Sequence, residues 1–476
     1  MNIGTAMHCR LIGNIAHNSE WSSGGGAMYA TGACLVTNCT FTGNSIQGGT
    51  HKIGSAINID DMNVLVTDCE ITKNTIVGVG STVDSTVFFR SGGMLRRSTV
   101  AWNTNVETYV VCAYENGSRV IDCHISSNAF PGTPAGSTRS ALWLNPGYVT
   151  MVSNCVIEGN LDSRGVYMGG DASVLANSTI RGHVDVGNVG AGVCMAYAGA
   201  LVDSCLIESN SIATDANSNS RGAGIQVIGG SILNSTIRGN EIKLAGRGGG
   251  GFYMKTTASV ISNCSILDNI AAGSGGGVYF EVAGSLLTHS IVSGNQAAHG
   301  GGVWDNVLAG SNTIRNCLFS ENKTTAWNGG GINANNTLVE SCTIVSNHAM
   351  YNGGGLYSRN AADRVRNTVI FGNTSDRTSS NWYNDAVEVT YTNCCTMPTA
   401  GLTGTGNLEA NPLFMDFSEG NYRLARGSPC INSGINVPWM ESAFDLDGRS
   451  RIDRFSGKVD MGAYEHIYRG TILTVY

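Results

Sequence analysis

Apolar residues recur along this chain in short alternating runs, with no helical spacing between them. In V-x-N-C-x-I and its variants, an apolar residue is followed by a polar or variable one. Then come Asn, Asp or Ser, next Cys or Ser, next a variable residue, and finally Ile, Val, Leu or Phe. The leading position reads Val36, Val66, Leu95, Val120, Val152 and onward to Val365. A period of two means one buried face and one outer face, so each run predicts two strands of three to five residues meeting at a sharp corner.

The runs form a repeat. Fourteen copies stand between HCRLIGN, which begins at His8, and NTVIFGN, which ends at Asn373, with NCTFTGN, NCVIEGN and NCSILDN among them. A second element follows most copies: GGGAMY from Gly24, GGGVYF from Gly275, GGGVWD from Gly300, GGGINA from Gly329 and GGGLYS from Gly353. Short strands and sharp corners that return about every 27 residues describe one coil of a parallel β-helix, with equivalent residues stacked roughly 4.8 Å apart. The expected fold is all-β, a right-handed parallel β-helix of about fourteen coils. The hand is the one parallel crossovers adopt. Residues 1–373 make the repeats, and residues 374–476 the last coil or coils with a C-terminal capping segment.

This layout decides how the motifs are read. Cys9, Cys39, Cys69, Cys123, Cys155, Cys205, Cys264, Cys317 and Cys342 share one column that Ser or Thr fills elsewhere. They read as small packing residues at a corner. Stacked parallel side chains rarely reach bridge geometry, and no Cys-x-x-Cys pair suggests a metal. The glycine triplets enter strands instead of opening helices and lack a following Lys, so they read as corners and not phosphate loops. The recurrent Asn residues read as stacked amide ladders.

Composition narrows the class. The 476 residues include 64 Gly and only 7 Pro, and 13% are charged, with a net charge of −7. No cluster of Lys and Arg marks a nucleic-acid or membrane-binding face, and no apolar run of about 18 residues marks a membrane span. The start, MNIGTAMHCRLIGN, lacks the charged and apolar regions of a secretory signal and opens directly in repeat sequence. The reading is of an N-terminally truncated chain whose place is extracellular or at the cell surface, acting as a monomer.

The paired motifs [I/F]-x-x-N and G-G-G-[V/I] resemble the repeats of bacterial right-handed β-helix proteins and of polymorphic outer membrane proteins. NPLFMD (411–416), YRLARGSPCINSG (422–434), DLDGRSRI (445–452) and VDMGAYE (459–465) follow in order. Together they are similar to the C-terminal segment of bacterial surface proteins of the choice-of-anchor Q type. That resemblance implies an exported surface protein and a segment closing the last coil.

The candidate chemistry is modest. The column one residue past the inward position after each triplet starts at Met28 and holds Phe88, Trp143, Tyr167, Tyr253, Tyr279, Trp304 and Tyr357. As an exposed strip these rings would suit the apolar faces of sugars on a polysaccharide or cell-surface glycan. The alternative is that they stack to stabilise the sheet. A catalytic reading, polysaccharide lyase or glycoside hydrolase, needs a base with charge neutralisation or two carboxylates. Its best seat is Asp60 and Asp61 with Arg90 and Glu115, near Arg96, Arg97 and Glu107. The longest connections, 129–140 and 211–221, are poor in acids. Lys255 with Glu281, like Asp60 with Arg90, reads as an exposed ion pair. Asp445 and Asp447 begin an Asp-x-Asp-Gly that can open a calcium loop, but the closing Glu is missing and Arg449 and Arg451 stand nearby. No cofactor is expected, calcium being the one the pattern admits. A third reading is a structural passenger fibre without a small ligand.

Overall fold

The computed structural model describes residues 4–17, 25–48, 52–78, 84–104, 108–130, 139–145, 147–186, 190–214, 221–377, 380–385 and 388–466. Two compact units divide it. The first is Met1–Val282 with Asn295–Ala298, and the second is Ala283–Gly294 with His299–Tyr476. Each is a stack of coils built from parallel strands, as the repeat predicts.

One coil shows the plan. Cys34–Thr37 forms face one, Thr40–Thr42 face two, Ser45–Gln47 face three and Ile53–Ile59 face four. Each strand pairs in parallel with its counterpart one coil on: Val36 lies opposite Val66, and Phe41 opposite Ile71. These inward columns are fully buried and make the core of the coil. Among the described residues, faces one, two and four carry ten strands each in the first unit, and five, five and four in the second.

The corners explain the polar half of the repeat. The residue before the Cys/Ser column turns left-handed in every coil, with φ near +50° at Asn38, Asp68, Asn154, Asn234 and Asn263. Asn and Asp tolerate this region best among residues with a side chain. Just past it, each Cys thiol donates to the carbonyl two residues back, as Cys39 does to Thr37 O at 3.2 Å. Ser98 makes the same bond to Arg96 O at 2.7 Å. One hydrogen bond serves both residue types, which is why they interchange. No disulfide joins any of the fifteen cysteines, all of which lie among the described residues, and all but Cys9 are buried.

At the next corner the Asn column forms a ladder. Asn44 donates its backbone N–H and its Nδ2 to Asn74 Oδ1, at 3.0 and 2.9 Å, and its Nδ2 also to Leu11 O at 2.9 Å. Asn74, Asn103 and Asn128 repeat the pattern, as do Asn210, Asn240 and Asn269. His183 interrupts the column. It keeps the backbone bond to Asn210 Oδ1 at 3.1 Å and turns Nε2 to Ile157 O at 3.1 Å, while Nδ1 has no hydrogen-bond partner.

The triplets are corners because nothing larger fits. Gly329 has φ +75°, and a Cβ on Gly330 would lie 2.4 Å from both Gly354 O and His348 O. In the second unit the C-terminal segment lies along the outer side of face two, against Leu318, Val345 and Val369, and is not confined to the end of the last coil. The reason is polar as well as apolar. His289 and Asn316 both hold Phe444 O at 2.9 Å, and Asn367 donates to Ile435 O at 2.8 Å. Buried Arg451 donates to Gly462 O at 3.0 Å and Asp460 O at 3.2 Å, and lies 3.2 Å from the Glu465 carboxylate. Burial pushes Glu465 up to about 8.

Two outcomes follow. Burial holds the His183 imidazole neutral, with its pKa pushed down to about 4. The unfolded chain binds a proton near the ordinary histidine pKa that the folded chain refuses until about 4. Stability is therefore full above the unfolded value and declines as the pH falls through it toward 4. His183→Asn should restore the ladder, raise stability by about 1–2 kcal/mol and flatten the pH dependence of the melting temperature across that window. Arg451→Ala should strand a buried carboxyl and cost about 3–5 kcal/mol, seen as a lower denaturant midpoint and earlier proteolysis within residues 398–466.

Candidate functional site

The outer column of face four is aromatic as expected, but it is not an exposed strip. Register puts Tyr29, one place later than Met28, opposite Asn58, with Phe88 and Cys112 following in the column. Phe88, Trp143, Tyr253, Tyr279 and Tyr357 are buried, and Tyr167 and Trp304 half-buried. The strands here run to five or seven residues, so further rings fold over the column. Tyr109 stacks on Trp143 at 4.6 Å and 13°, and Tyr114 lies 5.6 Å from Phe88. Arginines roof the rest: Arg164 over Tyr167 at 5.3 Å, Arg221 over Tyr253 and Tyr279 at 5.0 and 5.6 Å, and Arg359 over Trp304 at 4.2 Å. Tyr383 extends the column, stacking on Tyr357 at 5.5 Å.

Single exposed rings such as Trp102 and Tyr197 are scattered over the surface, but in the second unit three rings, half-buried His299 with exposed Trp327 and Tyr351, form a row of their own. His299, Trp327 and Tyr351 stand just before the triplets that begin at Gly300, Gly329 and Gly353. A left-handed first glycine turns the chain at each triplet, and the rings stand one residue (His299) or two residues (Trp327, Tyr351) ahead of it. His299 lies flat against Trp327, with ring centroids 5.6 Å apart and planes at 4°. Trp327 meets Tyr351 at 5.7 Å, and His299 meets the edge of Trp304 at 4.9 Å. Trp327 is 48% exposed and Tyr351 37%.

The backbone beneath this row is well held. Trp327 O accepts from Thr324 Oγ1 at 2.7 Å and from Tyr351 N at 3.1 Å, locking consecutive rungs together. Asp305, next to Trp304, is buried and accepts from Val307 N, Asn312 Nδ2 and Thr337 Oγ1 at 2.9–3.2 Å. Burial pushes its carboxyl up to about 6. Arg359 donates to Asp305 O while covering Trp304, and Arg377 lies 4.5 Å above Tyr351 and donates to its hydroxyl at 3.1 Å. Burial and then Arg359 push the His299 pKa down, so this ring stacks as a neutral imidazole at neutral pH. Sequence reading missed the row because it followed the column after the triplets. The signal was present all the same, an aromatic or His one or two residues before three successive triplets: HGGG, WNGGG and YNGGG.

The charged candidates fall into separate places. Asp60 accepts from Tyr29 OH and from Ser91 Oγ at 2.7 Å, and pairs with Arg90 at 3.6 Å as expected. Asp61 is taken up in its own turn by Asn63 N and Nδ2 at 2.8 and 2.9 Å. Glu115 contributes its backbone carbonyl to Ser118. Arg96 and Arg97 belong to another corner, with Asp122 at 3.3 Å and Asp68 at 2.7 Å. They do not join Asp60 in one site. Glu107 and the stretches 131–138 and 215–220 of the two long connections lie outside the described residues. Glu281 pairs with Arg221 at 3.0 Å, in place of the expected Lys255, and accepts from Tyr253 OH. Arg221 reaches it because it lies over the same two tyrosine rings.

In the C-terminal segment, Asp445 accepts from the N–H groups of Asp447, Arg449 and Glu465 at 2.7–2.9 Å. Asp447 is held by both ends of the Arg423 guanidinium at 2.7 and 2.6 Å. These carboxylates face donors, the opposite of what a cation needs. Among the described residues, no group of three or more His, Cys, Asp or Glu is placed to hold a metal.

The sequence profile described as a right handed beta helix region matches residues 140–306 and 191–374. The fold is thus the right-handed parallel β-helix that the repeats predict. Among solved structures, a pectate lyase, Pel9A, is similar with a TM-score of 0.44 at 14% identity, over 75% of this chain and 89% of that one. No curated protein sequence matches the chain.

Burial gives the column on face four a structural cost that can be read directly. Trp143→Ala should destabilise the protein by about 3–5 kcal/mol, measured as a lowered melting temperature.

Proposed function

We propose that this β-helix binds glycans through the row of His299, Trp304, Trp327 and Tyr351. One observation carries the reading: two large rings from consecutive coils stand 48% and 37% exposed, on a backbone locked rung to rung. Exposed rings offer apolar area to the C–H faces of sugars, and Arg359, Arg377 and the Tyr351 hydroxyl offer donors to the hydroxyl groups. Rigid ring placement reduces the ordering cost of binding. Within the buried column Phe88, Trp143, Tyr253, Tyr279 and Tyr357 act in this reading as support, while Trp304 and its roof Arg359 join the binding row.

Export, a cell-surface location and an adhesin role complete the proposal. Their support is the C-terminal segment's likeness to choice-of-anchor Q proteins. The rival reading, a polysaccharide lyase or glycoside hydrolase, has less behind it among the described residues. Asp60 is already engaged by Ser91 and Arg90, Asp305 and Asp363 lie in the interior, and Tyr253, raised by burial and then by Glu281, is held protonated.

A glycan array on the intact chain, followed by titration of the best hit, tests the proposal. Trp327→Ala and Tyr351→Ala should each weaken binding by about tenfold or more, given about 1–3 kcal/mol for loss of an aromatic anchor, with unchanged circular dichroism. Binding unaltered in the double variant would refute the site. Release of unsaturated products from uronate polymers would favour the lyase.

A further inference from the structure

We infer that the glycan is anionic and lies along the solenoid axis, one sugar ring to each coil. The inference rests on the glycan-binding reading and narrows it to a ligand class. Its direction comes from the row. Trp327 and Tyr351 come from successive coils, since Tyr351 N bonds Trp327 O and Gly329 N bonds Asn352 O, both at 3.1 Å. Their centroids are 5.7 Å apart, and those of His299 and Trp327 5.6 Å. That step is about the length of one pyranose in an extended chain. A glycan crossing the coils would meet one of these rings, whereas one running along them meets several.

Its charge comes from the two ends. Arg359 lies 4.2 Å from the Trp304 ring centroid, and Arg377 4.5 Å from that of Tyr351, so a chain spanning the row meets a guanidinium at each end. A guanidinium held flat on a ring is weakly hydrated and pre-positioned, and its planar fork matches a carboxylate or sulfate. Arg377 is exposed and has one hydrogen bond to Tyr351 OH, which leaves further N–H groups for a ligand. The nearby carboxylate, Asp376, is directed to the His348 imidazole at 3.6 Å, a contact that is an ion pair only when that ring is protonated. The protein as a whole carries −7, which would repel a polyanion. At physiological salt, charges more than about 8 Å away are largely screened, so the two local guanidiniums decide.

The test uses a uronic-acid oligosaccharide, the same oligosaccharide with its carboxylates reduced to alcohols, and a sulfated neutral chain, titrated into the intact protein. The uronate should bind about tenfold more tightly than its reduced form, the ratio expected of one charge-assisted hydrogen bond. Arg377→Gln should bring the uronate down to the level of the reduced form without changing the latter, and high salt should do the same. Preference for the sulfated chain over the uronate would assign the charge to sulfate and keep the inference. Equal binding of uronate and reduced forms would overturn it while leaving the glycan reading intact. If none of the three binds, both fall. Binding that grows with chain length from one to three sugars supports the axial path, and affinity saturated by a single sugar overturns it.

Discussion

Everything in this fold depends on the exact stacking of one coil on the next. The interaction that enforces it is the amide ladder at the corner after face two. Each Asn there receives two donors from the previous coil on its Oδ1 and gives its own Nδ2 to a carbonyl, so buried polar groups are satisfied within a column. A slip of one residue would leave each rung with unpaired amides, at a cost of about 1–3 kcal/mol per group. The ladder therefore fixes register, and register fixes which side chains become neighbours. His183 shows the tolerance of the device, keeping two of the bonds and leaving one ring nitrogen unpartnered.

Given that register, every residue type repeated at one place in the coil becomes a row on the outside. A row of rings can cover itself or remain open, and both outcomes occur here. On face four the longer strands bring Tyr109 and Tyr114 over Phe88 and Trp143, and arginines close over the others. The row before the triplets is covered by its own neighbours and, over Tyr351, by Arg377, which leaves Trp327 and Tyr351 exposed. His299, Trp327 and Tyr351 stand in the turn between face three and face four, ahead of each left-handed glycine. Buried and exposed rings thus fall to neighbouring rows of the same chemistry.

The charged residues follow the same logic. Acids and bases that look dense in the sequence separate once placed on coils, Asp60 going with Arg90 at one edge and Asp68 with Arg97 at another. The C-terminal segment spends its acids on backbone N–H groups and on Arg423, Arg449 and Arg451. It holds to the flank of the second unit through groups that the repeats provide at their corners, His289, Asn316 and Asn367.

The sequence by itself determined the architecture. Alternation placed Val36, Val66, Phe41 and Ile71 inward, Asn and Asp marked the left-handed corners, and the exchange of Cys with Ser marked a small packing position, whose shared hydrogen bond the structure supplied. These are local properties, imposed by backbone geometry on each coil separately, and repetition made them legible. Exposure was decided only by the tertiary structure. Whether Trp143 or Trp327 meets solvent depends on which side chains from neighbouring coils reach over it. That depends in turn on strand length, on where a turn sends the chain, and on a residue such as Arg221 reaching Glu281 sixty positions away. Periodicity specifies the direction of a side chain from its own backbone, but what covers it is a property of the assembled surface.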